Sequence, residues 1–119
     1  MRSLKSPLIL IAVLLTGCHS VAPPTPLSEL TPQQSLGHQY FQSHCALCHN
    51  DRETGPRTGA AVQGPSMLSL YKKPYLPSGA PANDDRVTAT ILHGHRMMPA
   101  SPNTDPTDLQ NLLAYLHTL

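Results

Sequence analysis

Residues 45–49 read Cys45-Ala46-Leu47-Cys48-His49. This is the pattern C-x-x-C-H, which attaches a c-type haem to a polypeptide. Two thiols three positions apart can each add to one vinyl group of a haem, and the imidazole that follows can bind the iron as its proximal ligand. The stretch therefore predicts that Cys45 and Cys48 bind one haem covalently and that His49 ligates its iron.

A Cys-x-x-Cys pair also occurs in redox-active disulfides and in zinc sites. A redox pair is expected in a strand–helix setting and requires no histidine. A zinc site needs a second pair of ligands at matching spacing. Cys18 is the only other cysteine of the chain, so the haem interpretation is favoured over both alternatives.

The composition indicates one small domain whose core needs a cofactor. The chain has 119 residues, of which 39% are hydrophobic and only 4% aromatic, with no tryptophan. Small domains with so little apolar mass commonly depend on a cofactor, a metal or disulfides for stability. The formal net charge is +1, and no basic stripe of the kind that binds nucleic acid is present, so nucleic acid is not an expected partner.

The N-terminal segment has the features of a bacterial export signal. Basic residues precede an apolar run over 8–15, which is too short to span a bilayer, since that takes about 20 residues. The run ends in Leu15-Thr16-Gly17-Cys18, which resembles the lipobox where bacterial lipoproteins are cleaved before a cysteine that is then lipidated. We predict a signal peptide over 1–17 and lipidation of Cys18. The alternative is an ordinary secretory cleavage nearby, which would leave one odd thiol.

Three prolines and several small polar residues follow Cys18. This composition is typical of a semi-extended linker, so we predict a lipidated tether over 18–30 and a domain over 31–119. The acyl chains would anchor the protein to a bilayer, with more than one chain needed for stable binding. The predicted location is the periplasmic side of a bacterial membrane, with the inner and the outer membrane both open.

The first helix of the domain is predicted to start at Thr31-Pro32, an N-cap followed by proline at the first helical position. It should run to about His44. Residues at helical spacing form its predicted apolar face, namely Leu36, Tyr40 and Phe41.

Two further helices are predicted later in the chain. Asn83 caps the second, which should end at Gly94. Asp105-Pro106 starts the third, the clearest amphipathic helix of the sequence. Its apolar positions keep i, i+3, i+4, i+7 spacing and are Leu109, Leu112, Leu113 and Leu116.

With this order of elements, residues 31–119 resemble a small monohaem class I cytochrome c. Gly37 and Phe41 precede the first haem cysteine at the spacing that the family uses where its N-terminal and C-terminal helices cross. The resemblance implies an all-α cytochrome c fold, with these two helices crossing and loops wrapping one haem. It also implies that Gly37 lies against Leu112 and Tyr115.

The segment Gly64-Pro65-Ser66-Met67-Leu68 is similar to the Gly-Pro-x-Leu loop of the family, except that Leu68 stands one position late. In the family the carbonyl oxygen of this proline accepts a hydrogen bond from the proximal imidazole. The resemblance therefore implies that Pro65 orients His49 and tunes its basicity.

The segment that ends in Met97-Met98-Pro99 resembles the distal segment of the family, in which methionine directly before proline ligates the iron. The resemblance implies Met98 as the distal ligand. Met97, His93 and His95 remain alternatives, and either histidine would give a bis-His haem of lower potential.

A haem iron held by histidine and methionine has no open position for a substrate, so the resemblance implies an electron carrier rather than an enzyme. We expect it to take one electron from a dehydrogenase or a quinol-oxidising complex and to pass it to an oxidase, a reductase or another cytochrome. One alternative is a dedicated haem subunit of a periplasmic oxidoreductase complex. Another is a haem-based gas sensor, in which Met98 would bind weakly or not at all.

Overall fold

The computed structural model describes residues 21–52 and 64–119. These residues form three α-helices, α1 (Pro32–His44), α2 (Asp84–His93) and α3 (Pro106–Leu116), and two short 3₁₀ helices at Leu27–Glu29 and Leu70–Lys72. No β-strand occurs in this part of the chain, and the all-α prediction is confirmed. Within the same residues, no helix has both the length and the apolar character needed to cross a bilayer. The predicted signal peptide and Cys18 lie outside the described residues.

Side-chain caps place the start of each α-helix where the sequence predicts it. Oγ1 of Thr31 accepts a hydrogen bond from the Gln34 amide at 3.2 Å, while the Thr31 amide donates to Oε1 of Gln34 at 2.9 Å. This reciprocal pair satisfies two amides that a helix start otherwise leaves free. Asn83 and Asp105 cap α2 and α3 with one hydrogen bond each, accepted from an amide of the first turn at 3.0 and 2.7 Å.

Helices α1 and α3 pack closely where α1 carries its glycine. A Cβ atom at Gly37 would overlap the main-chain carbonyl of Asn111 and would lie 2.8 Å from Cβ of Tyr115. The contact predicted between Gly37 and Tyr115 is therefore confirmed. The nearest neighbour is Asn111 rather than Leu112, which is only 1% exposed and lies in the core.

The core is small and lies mainly between α1, α3 and the turns that follow them. Its buried side chains are Phe41, Ala46, Leu70, Val87, Leu112, Tyr115, Leu116 and Leu119. Leu36, predicted on the apolar face of α1, is 53% exposed, so that prediction is wrong. Successive residues of a helix point about 100° apart, and the face that meets α3 is set by Gly37 and Phe41.

The described part of the predicted tether lies against the domain. The Thr25 amide donates to the carbonyl oxygen of Thr118 at 2.8 Å, and Nζ of Lys72 donates to the carbonyl oxygen of Ala22 at 2.8 Å. Leu30 packs on the core. The predicted boundaries 18–30 and 31–119 stay predictions, but residues 22–30 do not extend away from the domain.

Candidate haem-binding site

The C-x-x-C-H stretch begins where α1 ends. Cys45 is the C-terminal cap of α1, and its amide donates to the carbonyl oxygen of Phe41 at 2.8 Å. The amides of Cys48 and His49 then both donate to the carbonyl oxygen of Cys45, at 3.1 and 2.9 Å. These bonds close residues 45–49 into a tight turn that holds two thiols and one imidazole in a compact segment.

Both cysteines of this turn are free thiols. Burial raises the pKa of the Cys45 thiol to about 11, so the group is protonated at neutral pH. Redox-active cysteines have the opposite character, because their lowered pKa supplies the thiolate that attacks a disulfide. The environment of Cys45 therefore does not favour the redox-pair alternative.

The ring of His49 is oriented by a main-chain oxygen. Nδ1 of His49 lies 2.8 Å from the carbonyl oxygen of Pro65. A carbonyl oxygen can only accept, so Nδ1 carries a proton, and in the tautomer that this bond selects Nε2 presents its lone pair. This is the state that a histidine needs in order to bind a metal through Nε2. The hydrogen bond to Pro65 that the resemblance implies is present, although Leu68 stands one position later than the leucine of the family's Gly-Pro-x-Leu loop.

Gly64 lies directly against the same ring. A Cβ atom at this position would overlap the imidazole and lie 2.5 Å from Nδ1 of His49. The Gly64 amide donates to the carbonyl oxygen of Cys48 at 2.6 Å, and the Met67 amide donates to that of Asn50 at 2.7 Å. The chain over 64–67 thus runs along residues 48–50 and keeps the Pro65 carbonyl next to His49.

Three side chains, which we call the Asp51–Arg52–Tyr115 cluster, join the residues that follow His49 to α3, and Gln42 joins them to α1. The Tyr115 hydroxyl donates to Oδ2 of Asp51 at 2.6 Å, and Nε of Arg52 donates to the Tyr115 hydroxyl at 3.3 Å. Gln42 of α1 also donates to Oδ2 of Asp51, at 3.0 Å. Burial, together with the Asp51 carboxylate, raises the pKa of the Tyr115 phenol well above its usual value.

The sequence alone does not predict this cluster. The only signal for it is a charged Asp-Arg pair that follows the C-x-x-C-H stretch after one residue, Asn50. Such a pair is more often a solvated surface feature, and Tyr115 was predicted only as a packing partner of Gly37.

The predicted distal segment forms a tight turn after α2. Gly94 ends that helix at a φ of 75°. The amides and carbonyls of His95 and Met98 then pair with each other, at 3.1 and 2.9 Å. Met97 is 75% exposed at the tip of this turn, whereas Met98 is half-buried at its closing end. The exposure of the two side chains favours Met98 over Met97 as a ligand.

The described residues fit a c-type haem. Two free thiols lie in a turn that ends in a histidine whose Nδ1 atom is bonded to the Pro65 carbonyl, and glycine at position 64 leaves room for the ring of that histidine. His49 follows α1 and the half-buried Met98 follows α2, so the two predicted axial ligands come from separate segments of the chain. Ligands from separate segments can approach a metal from two sides.

A family model described as cytochrome c oxidase, cbb3-type, subunit III matches residues 32–116. The matched range runs from the first residue of α1 to the last residue of α3 and contains the C-x-x-C-H stretch. Comparisons with curated proteins and with solved structures found no significant match. The match confirms the predictions of a small c-type cytochrome, of a covalently bound c-type haem and of electron transfer in place of catalysis. The chain therefore belongs to the family of cytochrome c oxidase, cbb3-type, subunit III, and is an electron-transfer haem protein.

Proposed function

We propose that this protein is a lipid-anchored electron carrier on the periplasmic side of a bacterial membrane. In this proposal Cys45 and Cys48 bind the haem covalently, His49 and Met98 ligate its iron, and Cys18 carries the lipid. When bound, the haem supplies a one-electron couple between Fe(III) and Fe(II). The observation that carries the proposal is the 2.8 Å hydrogen bond between Nδ1 of His49 and the Pro65 carbonyl.

In this proposal the role of the polypeptide is to hold the proximal ligand, His49, in one orientation. Pro65 keeps the proton on Nδ1, which raises the basicity of Nε2. Gly64 lies so close to the ring that even a Cβ atom at this position would overlap it, which limits the space in which the ring can turn. The Asp51–Arg52–Tyr115 cluster holds the segment after His49 on α1 and α3. A rigid ligand set suits electron transfer, because little structure then has to rearrange when the charge on the iron changes.

The partners follow from this role. The proposed donor is a dehydrogenase or a quinol-oxidising complex, and the proposed acceptor is an oxidase, a reductase or another cytochrome. The signal-peptide pattern supports the periplasmic location, since c-type haem is attached outside the cytoplasm in bacteria. The Leu-Thr-Gly-Cys pattern that ends at Cys18 supports the lipid anchor.

A second candidate is a dedicated haem subunit of one oxidoreductase complex. The description of the matched family favours it, because that family is named for a subunit of an oxidase. Extraction with mild detergent separates the two candidates. A dedicated subunit co-purifies with its complex in fixed stoichiometry, whereas a carrier is recovered alone.

The visible and near-infrared spectrum of the protein matured with haem tests the site. We expect a covalent haem c, a ferric methionine–iron charge-transfer band, and no change on addition of carbon monoxide. A folded but colourless protein contradicts the haem assignment, and ready binding of carbon monoxide contradicts the axial role of Met98. Lipidation is tested with Cys18→Ser, which should lose incorporation of labelled palmitate and leave the membrane fraction.

A further inference from the structure

We propose that residues 22–30, here called the N-terminal strap, fasten the lipid-anchored domain close to the bilayer in one fixed orientation. The inference rests on the proposed lipidation of Cys18. It differs from a flexible tether, which would let the domain and its haem turn freely above the membrane.

Thr25 is held through both of its main-chain polar groups. Its amide donates to the carbonyl oxygen of Thr118 at 2.8 Å. Its carbonyl oxygen accepts from Nη1 of Arg52 at 2.6 Å. The middle of the strap is therefore joined to the end of the domain that follows α3 and, through Arg52, to the segment that follows His49.

Lys72 fastens the beginning of the strap. Its Nζ atom donates to the carbonyl oxygen of Ala22 at 2.8 Å and to the main-chain oxygen of Leu119 at 3.0 Å. One ammonium group thus joins the strap to the last residue of the sequence. Hydrogen bonds from a charged donor are about twice as strong as neutral ones, so this bridge contributes more than an ordinary surface contact.

The strap is also stiff along its length. Pro23, Pro24 and Pro26 restrict the backbone, the 3₁₀ helix Leu27–Glu29 follows, and Leu30 packs on the core. Prolines reduce the number of conformations open to a released chain, so less entropy opposes docking. Leu30, the last residue of the strap, directly precedes Thr31, the N-cap of α1.

Docking of the strap shortens the length of chain that can separate the domain from the membrane. From Cys18 to Ala22 the chain spans four residues, which reach at most ~14 Å when fully extended. A tether free from Cys18 to Leu30 would reach at most ~42 Å. The edge of the domain that carries Ala22, Lys72 and Leu119 would therefore face the bilayer, and the haem plane would keep one tilt relative to it.

The experiment uses the full-length, haem-loaded, lipidated protein in oriented supported bilayers. Linear dichroism of the haem absorption measures the tilt of the haem plane, and hydrogen–deuterium exchange measures protection of the Thr25 amide. Three proteins are compared, namely the wild type, Lys72→Met, and the control Lys73→Met. The control removes the same charge from the exposed lysine next along the chain.

We expect a dichroic haem and a Thr25 amide protected at least tenfold in the wild type and in Lys73→Met. Lys72→Met should lose most of the dichroism and of that protection while its haem spectrum stays unchanged. An isotropic haem or an unprotected Thr25 amide in the wild type overturns the inference, and so does a Lys72→Met protein that matches the wild type. A wild-type protein that does not bind bilayers overturns the anchor itself, and the exchange measurement still decides whether the strap is docked.

Discussion

The imidazole ring of His49 occupies the space that a side chain at position 64 would need, and position 64 is glycine. The adjacent Pro65 carbonyl oxygen accepts a hydrogen bond from Nδ1 at 2.8 Å. Two neighbouring residues thus fix the ring, one by leaving space and one by accepting a hydrogen bond. The orientation of a proximal ligand in this protein depends on main-chain geometry more than on side-chain chemistry.

Gly64→Ala should turn the ring and break its hydrogen bond to Pro65. Loss of that bond lowers the basicity of Nε2 and should raise the reduction potential, by roughly 40 mV for each 1 kcal/mol by which the bond stabilises Fe(III) more than Fe(II). Redox titration of the matured protein measures the shift. Gly79→Ala is the control, because Gly79 has a φ of 84° and a Cβ added there would meet no atom within 4 Å, so alanine strains the backbone without touching the ring. A Gly64→Ala protein with the wild-type potential would show that the ring is oriented by other contacts.

Gly37→Ala should destabilise the fold although alanine favours a helix. The gain in helix propensity is about 1 kcal/mol, whereas overpacking typically costs about 1–3 kcal/mol. Here the obstacle is the main-chain carbonyl of Asn111, which cannot move aside as a flexible side chain could, so we expect the clash to prevail. Urea unfolding of the haem-loaded protein measures the difference. Gln39→Ala, at an exposed position of the same helix, should be neutral or stabilising, and stabilisation by Gly37→Ala would refute the close helix crossing.

Met98→Ala and Met97→Ala should have opposite spectroscopic outcomes. Met98 is half-buried and Met97 is 75% exposed, so Met98→Ala should abolish the ferric charge-transfer band and Met97→Ala should preserve it. Near-infrared absorption decides between them. Retention of the band in Met98→Ala and its loss in Met97→Ala would assign the ligand to Met97, and a bis-His spectrum in the wild type would assign it to His93 or His95.

Asp84 should make stability depend on pH in the acidic range. The Tyr71 hydroxyl and then His117, whose Nε2 lies 2.9 Å from Oδ1 of Asp84, lower the pKa of this carboxyl, while partial burial opposes them. A carboxyl with a lowered pKa in the folded state stabilises the protein above its unfolded pKa of about 3.9 and loses that contribution as the pH falls further. Asp84→Asn should therefore lower the free energy of unfolding by up to about 1 kcal/mol at pH 7 and by less at pH 3. The effect is small because the side chains of Asp84 and His117 are both about half exposed.

Urea unfolding at the two pH values measures this effect. Asp85→Asn is the matched control, because Asp85 lies next to Asp84 in the first turn of α2 and the substitution removes the same charge. An equal loss in both variants would assign the effect to the helix dipole. A loss in Asp84→Asn that does not shrink at low pH would contradict the role of the ionised Asp84 carboxyl.

Tyr115→Phe should loosen the segment that follows His49. The hydroxyl bridges Asp51 at 2.6 Å and Nε of Arg52 at 3.3 Å, so its removal leaves a partly buried guanidinium short of one acceptor. We expect a loss of about 1–3 kcal/mol in stability, measured by urea unfolding. Tyr75→Phe is the control, since Tyr75 is 62% exposed and should tolerate the change. Equal stability of the two variants would show that the cluster contributes little.

Several features of the protein could be predicted because they depend on residues close together in the chain. The caps at Thr31, Asn83 and Asp105 act within three positions, and the C-x-x-C-H stretch spans five. The start of each helix and the haem motif could therefore be predicted without any tertiary structure. The resemblance extended this to the Pro65 carbonyl and to the Gly37 crossing, both of which the structure contains.

The amino-acid sequence by itself determined the haem chemistry and the start of each helix, since both rest on spacing and on interactions within one turn. Only the tertiary structure decided that Leu36 faces solvent, that Arg52 meets Tyr115, and that Lys72 holds the strap at Ala22. The last two contacts join residues 63 and 50 positions apart. Contacts over such distances form only after the helices have packed, because packing selects which face of each helix is buried and which donors meet which acceptors.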